Sequence, residues 1–189
     1  MTSPEILKEI SSHQIIGIML HHDMMVCYDF LGLRCFKRMH EYHMFKEMAE
    51  NDEVNRYCIN HLNKIIIDDN LVPYFEIPKS WVNENRMSIN NSNKKSYIQS
   101  MFKKWHEWEK TTKELYSKKY IELLDLEEPA TAKKVMCLVE GVDKELKCLE
   151  RWILKLEEIE YDLKIISSFD EKVHDEYKKK TKEIGIDIC

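Results

Sequence analysis

The positions of the four prolines constrain the fold of this 189-residue chain more than any other feature. Pro4 and Pro129 stand where helices can begin, because the first helical turn does not need the backbone N–H that proline lacks. Pro73 and Pro78 lie in a polar, asparagine-rich stretch that cannot be regular helix. Because the chain also has only four glycines, few helix breakers remain elsewhere. The sequence therefore predicts one helical domain.

Apolar residues recur with helical spacing in five segments. These predicted helices are residues 4–29, 33–67, 96–125, 130–166 and 171–183. The second helix has its weakest point at Asn51-Asp52, and Asp170 is placed to cap the fifth. We expect residues 1–166 to form the main bundle, and residues 167–189 to form a short C-terminal helix and tail.

The segments form two hairpins with short turns, joined by residues 68–95. A connection of that length is uncommon in a compact domain and requires a structural reason. When the second and third helices of a four-helix bundle run parallel, the chain must travel back along the whole bundle between them. We therefore predict an all-α, antiparallel four-helix bundle with a long crossover at residues 68–95 and a short fifth helix.

Six polar side chains fall on or beside the apolar stripes that should face the core. They are His21, His43, Glu47, Glu50, Glu109 and Glu145. An ionised carboxylate in a core is costly unless it is paired, hydrogen-bonded or coordinated. Folding each hairpin about its turn brings these residues to one level, with at least one from each of the four helices. Because carboxylates with imidazoles suit iron or manganese better than structural zinc, we predict one or two such ions here.

The same side chains have alternative interpretations. They can form a buried polar network that fixes the register of the helices, or line a water-filled cavity or a small-molecule pocket. His13 and His40 are isolated on their stripes, so we expect hydrogen-bonded core histidines there. The aromatic residues Trp105, Trp108 and Tyr116 are expected to pack in the core, and Tyr116 would matter for redox chemistry if a metal lay beside it.

Three stretches resemble the ferritin-like superfamily of four-helix di-metal proteins. Glu109-Lys110 is similar to the Glu-Lys of the family's third helix, and Glu47-Met48-Ala49-Glu50 stands in place of Glu-x-x-His on its second. The segment 74–78 is similar to the end of the ferritin crossover. The resemblance implies Fe(II) binding, and its oxidation by O2 or peroxide, with Glu47 and Glu109 as bridging or terminal carboxylates. His43 and Glu50 would then be the other ligands on the second helix.

The sequence also departs from that family. Glu50 stands where the family has His, and the first helix has no glutamate on its core stripe, so His21 would replace that ligand. The fourth helix has Glu140-Gly141-Val142-Asp143 in place of the expected motif, and Glu140 points away from the core. Glu145 is therefore the predicted contribution of the fourth helix.

Composition excludes several other classes of protein. A net charge of −5 and a pI of about 5.9 argue against nucleic-acid binding, which needs an excess of clustered Lys and Arg. No apolar run is long enough to span a membrane, and the beginning of the chain lacks the pattern of a secretory signal. The six cysteines form no CxxC pair. We expect reduced thiols and a cytoplasmic location.

The first two predicted helices are also apolar outside their core stripes. The residues concerned are Ile15, Ile16, Met19, Leu20, Val26, Tyr42, Phe45 and Met48. Helices that are apolar nearly all round must be covered, so we expect the fifth helix to cover part of this surface and a homodimer or larger homo-oligomer the rest.

A non-enzymatic role is the alternative to a metal site. A bundle that has lost its metals would act as an adaptor or inhibitor through the same apolar surface. The bias toward Lys, Ile and Asn is typical of AT-rich genomes, among them viral and mobile ones.

Overall fold

The computed structural model describes residues 1–66, 90–168 and 170–183. Within these ranges it contains helices and no strand. The helices are α1 (Ser3–Leu31), α2 (Arg34–Leu62), α3 (Asn91–Asp125), α4 (Pro129–Glu158), α5 (Leu163–Ser168) and α6 (Asp170–Glu183). The prediction of an all-α four-helix bundle is confirmed. Most of the predicted crossover, including the stretch 74–78, lies outside the described residues, as does the side chain of Asp170.

Contacts between side chains give the directions of the four long helices. α1 and α2 are antiparallel, with His21 beside His40 and Ser11 beside Asn51. α3 and α4 are antiparallel as well, with ion pairs Lys113–Asp143 and His106–Glu150. α2 and α3 run parallel, since Phe36 packs on Phe102 and His43 on Trp105. This parallel pair is the arrangement that requires a long connection.

The first hairpin turns at a glycine. Thr2 and Glu5 form a capping box at the start of α1, and Pro4 lies in the first turn. Gly32 ends α1 with φ 76°, and its N–H donates to the carbonyl of Asp29 at 3.0 Å. This left-handed conformation suits glycine, which has no Cβ. The short turn predicted between the first two helices is confirmed.

One predicted helix start and two predicted helix ends are wrong. α3 begins at Asn91, not near Ser96, so residues 91–95 of the predicted crossover are helical. α4 ends at Glu158, not near Ile166, because Glu160 and Tyr161 take left-handed φ values of 50° and 52°. The Asp162 carboxylate then accepts from the backbone N–H of Lys164 at 2.8 Å and starts α5. The turn contains neither glycine nor proline, and apolar residues continue at helical spacing through it. The sequence pattern therefore predicts one continuous helix here.

The second wrong end is that of α2, which stops at Leu62 with a left-handed Asn63 (φ 51°) instead of reaching Ile67. Ile65, which lies within the predicted second helix, is 78% exposed. The suspected weak point at Asn51-Asp52 is continuous helix, where the Asn51 amide donates to Ser11 Oγ of α1 at 2.9 Å.

The buried apolar side chains form two clusters. The first contains Leu20, Met24, Tyr28, Phe36, Met39, Phe102, Trp105 and Leu149 among others, with Val173 and Tyr177 of α6. The second contains Ile6, Leu7, Ile10, Val54, Tyr116, Leu123, Val135 and Leu146 among others. Leu20 is therefore a core residue and not part of an outer face. A band of polar side chains lies at the levels between the two clusters.

α6 packs along α2, with Tyr177 5.7 Å from Tyr42 between ring centroids. The predicted cover of this side of α2 by the last helix is therefore present. No helix among the described residues is both long and apolar enough to cross a membrane.

Candidate functional site

A polar layer lies between the two apolar clusters, and all four long helices contribute to it. We define the polar layer as His21, His40, His43, Lys46, Glu47, Glu50, Glu109 and Glu145. Helical spacing on α2 brings five of these residues to one side, because positions three and four apart share a face. The polar layer contains all six predicted site residues.

Three histidines form one side of the polar layer. His21 and His40 share a hydrogen bond of 2.9 Å between their Nδ1 atoms, and the His21 and His43 rings stack at 5.3 Å. Burial lowers the pKa of all three well below the ordinary value, so the rings are neutral. One ring of the hydrogen-bonded pair therefore donates its Nδ1–H to the other. His40 is a hydrogen-bonded core histidine, as predicted.

Two fully or nearly fully buried glutamates, Glu47 of α2 and Glu109 of α3, lie close enough for their carboxyl groups to interact electrostatically. Trp105 donates its indole N–H to Glu109 Oε1 at 2.8 Å, and His21 Nε2 lies 4.0 Å from that oxygen. The second oxygens, Glu47 Oε2 and Glu109 Oε2, have no hydrogen-bond partner, and neither has His21 Nε2. Burial, strengthened by the neighbouring carboxylates, raises the pKa of both Glu47 and Glu109 well above the ordinary value.

The other two carboxylates share one lysine. Lys46 Nζ lies 2.7 Å from Glu50 Oε1 and also contacts Glu145, so it joins α2 to α4. Burial lowers its pKa, but Glu145 and Glu50 outweigh burial and raise the pKa above the ordinary value. His43 Nδ1 lies 4.0 Å from the same Glu145 oxygen.

The sequence analysis missed Lys46. Its backbone position lies at the edge of the apolar stripe, and a four-carbon side chain reaches much further than a stripe drawn from helical angles. The available signal was its spacing of four residues from Glu50, which favours an ion pair on a helix.

On α1, a glycine lies at the level of Glu47. A Cβ added to Gly17 would lie 3.3 Å from Trp108 Cζ2 and 3.5 Å from Glu47 Cδ, so the indole occupies the space that a side chain would need. Trp108 is held there by stacking on His13 at 4.1 Å, and His13 also bonds Thr112 Oγ1 at 2.7 Å. His21, one turn further along α1, is the residue that enters the polar layer instead.

The structure brings the predicted residues together without assembling a coordination sphere. Among the described residues, no three His, Cys, Asp or Glu side chains are arranged so that they could hold a metal ion. The chemistry of the donor set is nevertheless suitable, because the atoms without a hydrogen-bond partner include Glu47 Oε2, Glu109 Oε2 and the neutral imidazole nitrogen His21 Nε2. The six site assignments stay predictions.

Solved structures with a similar backbone identify the architecture. The chain matches an open-pore ferritin from the hyperthermophilic archaeon Archaeoglobus fulgidus, with a TM-score of 0.73 over 91% of this chain and 94% of that one. An engineered closed form of the A. fulgidus ferritin matches equally well, and both are 15% identical in sequence. The chain has the ferritin-like fold. The resemblance noted from sequence is thereby confirmed for the ferritin-like fold.

Comparison with protein families and curated proteins gives no match for this sequence. The ferritin-like fold therefore rests on the helix arrangement, and the polar layer has to be interpreted from its own residues.

Proposed function

We propose that this ferritin-like protein binds a divalent transition metal, Fe(II) in the first place and Mn(II) in the second, within the polar layer. The observation that carries the proposal is the pair Glu47 and Glu109. Both are buried, each has an oxygen without a partner, and neither contacts a lysine or arginine in the described part of the chain. Without a positive partner these buried carboxyl groups keep their protons, because an ionised carboxylate there would be costly, and a metal cation that displaces the protons supplies the missing positive partner.

The ligands nearest to this pair are defined by the same geometry. His21 is neutral, as a metal ligand must be, and its Nε2 faces Glu109. His43, Glu50 and Glu145 line the Lys46 side of the polar layer and complete the predicted set. Bound iron would supply electron transfer to O2 or peroxide, while Trp105 orients Glu109 through its indole N–H.

Anaerobic calorimetric titration with Fe(II), repeated with Mn(II), tests the proposal. We expect binding of about one ion per chain at micromolar affinity, weakened at least about tenfold by Glu47→Gln combined with Glu109→Gln. Glu107→Gln is the matched control, since Glu107 is an exposed carboxylate on the same helix. Less than one ion per chain, or an affinity that the double variant leaves unchanged, would contradict the proposal.

The alternative function is a non-enzymatic bundle that acts as an adaptor or inhibitor through protein contacts. Lys46 favours this alternative, because its ammonium gives two of the four carboxylates a partner without any metal. Elemental analysis of protein purified without chelators separates the two functions. Iron or manganese in the purified protein supports the metal site, and a metal-free monomer supports the interaction protein.

We also propose a homodimer through the outer face of α1 and α2. Val26 and Met48 are exposed there, at 41% and 47%, and Ile15, Met19 and Phe45 are only partly buried. Light scattering after size exclusion should give twice the chain mass of 22.8 kDa. Val26→Glu with Met48→Glu should halve the measured mass, and Leu154→Glu on α4 should not. An unchanged mass in the double variant would exclude this face.

A further inference from the structure

Lys46 places a positive charge among the carboxyl groups of the polar layer. Its Nζ lies between α2 and α4, 2.7 Å from Glu50 Oε1 and in contact with Glu145. Only 22% of its side chain is exposed, so solvent screens these ion pairs weakly. An ammonium donates hydrogen bonds in three directions and accepts none, which suits a position among carboxylate oxygens.

The polar layer is thus divided into two unequal halves. On one side, Glu50 and Glu145 share the Lys46 ammonium. On the other side, Glu47 and Glu109 have the indole of Trp105 and the neutral ring of His21 near them, and no cationic side chain within 4 Å among the described residues. The polar layer therefore contains four carboxyl groups and one lysine ammonium.

We infer that Lys46 takes the place of a second metal ion, so that this chain binds one metal between Glu47 and Glu109 and not two. The inference rests on the proposed function and sharpens its stoichiometry. A divalent ion entering between Glu50 and Glu145 would have to displace the ammonium. Lys46 would then be left buried and unpaired beside a dication, which is strongly unfavourable.

The test counts Mn(II) bound to the full chain under anaerobic conditions, by equilibrium dialysis and elemental analysis. We expect about one ion per chain for the parent protein and about two for Lys46→Met, which removes the charge and keeps an unbranched side chain of similar length. Lys113→Met is the matched control, because Lys113 joins α3 to α4 through Asp143 without touching the polar layer. It should leave the count at one.

Lys46→Gln is the second variant and keeps a hydrogen-bond donor beside both carboxylates, and circular dichroism establishes that each variant is folded. The parent count does not depend on any variant, so two ions per parent chain overturn the inference even if both substitutions prevent folding. One ion in the parent and one in the folded Lys46 variants overturn it as well. Both results leave the proposed function standing.

Failure of the proposed function gives a different pattern. No Mn(II) in the parent chain or in any variant overturns the function and the inference together. No Mn(II) in the parent but at least one ion in Lys46→Met overturns the proposed function and the inferred count of one ion, and it identifies Lys46 as the cation that keeps metal out.

Discussion

Replacement of Gly17 by alanine tests whether the Trp108 indole closes against α1 as the structure has it. In a helix interior, alanine is favoured over glycine by about 1 kcal/mol, so the substitution alone should stabilise the protein. At Gly17, however, the new Cβ would lie 3.3 Å from Trp108 Cζ2 and 3.4 Å from Nε1. That is too close for an ordinary contact, and the stacked His13 ring limits how far the indole can move.

The size of the effect follows from two opposing contributions. Inserting a methyl group into a packed core costs about 1–3 kcal/mol when its neighbours cannot give way. Set against the helical gain, Gly17→Ala should lower the free energy of unfolding by about 0–2 kcal/mol. Gly141 provides the matched control in α4, because its added Cβ would meet only Glu50 Oε1 at 3.9 Å. Gly141→Ala should therefore stabilise by about 0.5–1 kcal/mol.

Urea unfolding followed by circular dichroism at 222 nm measures both variants in the same way. The two free energies of unfolding should differ by about 0.5–3 kcal/mol, with Gly17→Ala the less stable protein. Equal stabilisation by the two substitutions would refute the packing of Trp108 against α1. It would also mean that a side chain has space beside Glu47, so that Trp108 would not explain why α1 has a glycine at this level.

Two further variants test the surroundings of the polar layer. Burial lowers the pKa of His13 from 6.5 to about 4. As the pH falls through this range, the histidine therefore takes up its proton in the unfolded chain and not yet in the folded chain. Between pH 7 and 4, His13 should therefore lower the free energy of unfolding by about 3 kcal/mol, and His13→Gln should abolish this part of the decrease. Urea unfolding at the two pH values measures the decrease, and an unchanged decrease in the variant would contradict the prediction. Trp105→Phe should destabilise by about 1–3 kcal/mol, because Glu109 loses its indole donor, and thermal unfolding with no change would argue against that hydrogen bond.

Much of the fold could be predicted from the sequence because the long helices have clear apolar stripes. Their apolar stripes recur at helical spacing, and the stripe residues of α1, such as Ile6, Ile10 and Met24, are buried as expected. The end of α4 could not be predicted in this way. Glu160 and Tyr161 adopt left-handed conformations that glycine or asparagine would normally signal, and a sequence pattern does not reveal such exceptions.

Six of the eight residues of the polar layer were predicted from the sequence as site residues, but the way in which they pair was not. Helical angles place Glu47 and Glu109 toward the core whatever their partners are, and both are buried. Which carboxylate meets Lys46 depends on how a long side chain crosses from α2 to α4. The contact of Trp108 with Gly17 likewise depends on the distance between two helices, which no single helix pattern contains.

The separation of the apolar core into two clusters bears on where substitutions affect packing. The clusters at the two ends of the bundle contain its large buried apolar side chains, so they provide the hydrophobic contribution to folding. Substitutions in the band between them, such as the exchange of a ligand for a lysine, alter chemistry while leaving both ends packed. A substitution confined to this band therefore removes no contact within either apolar cluster.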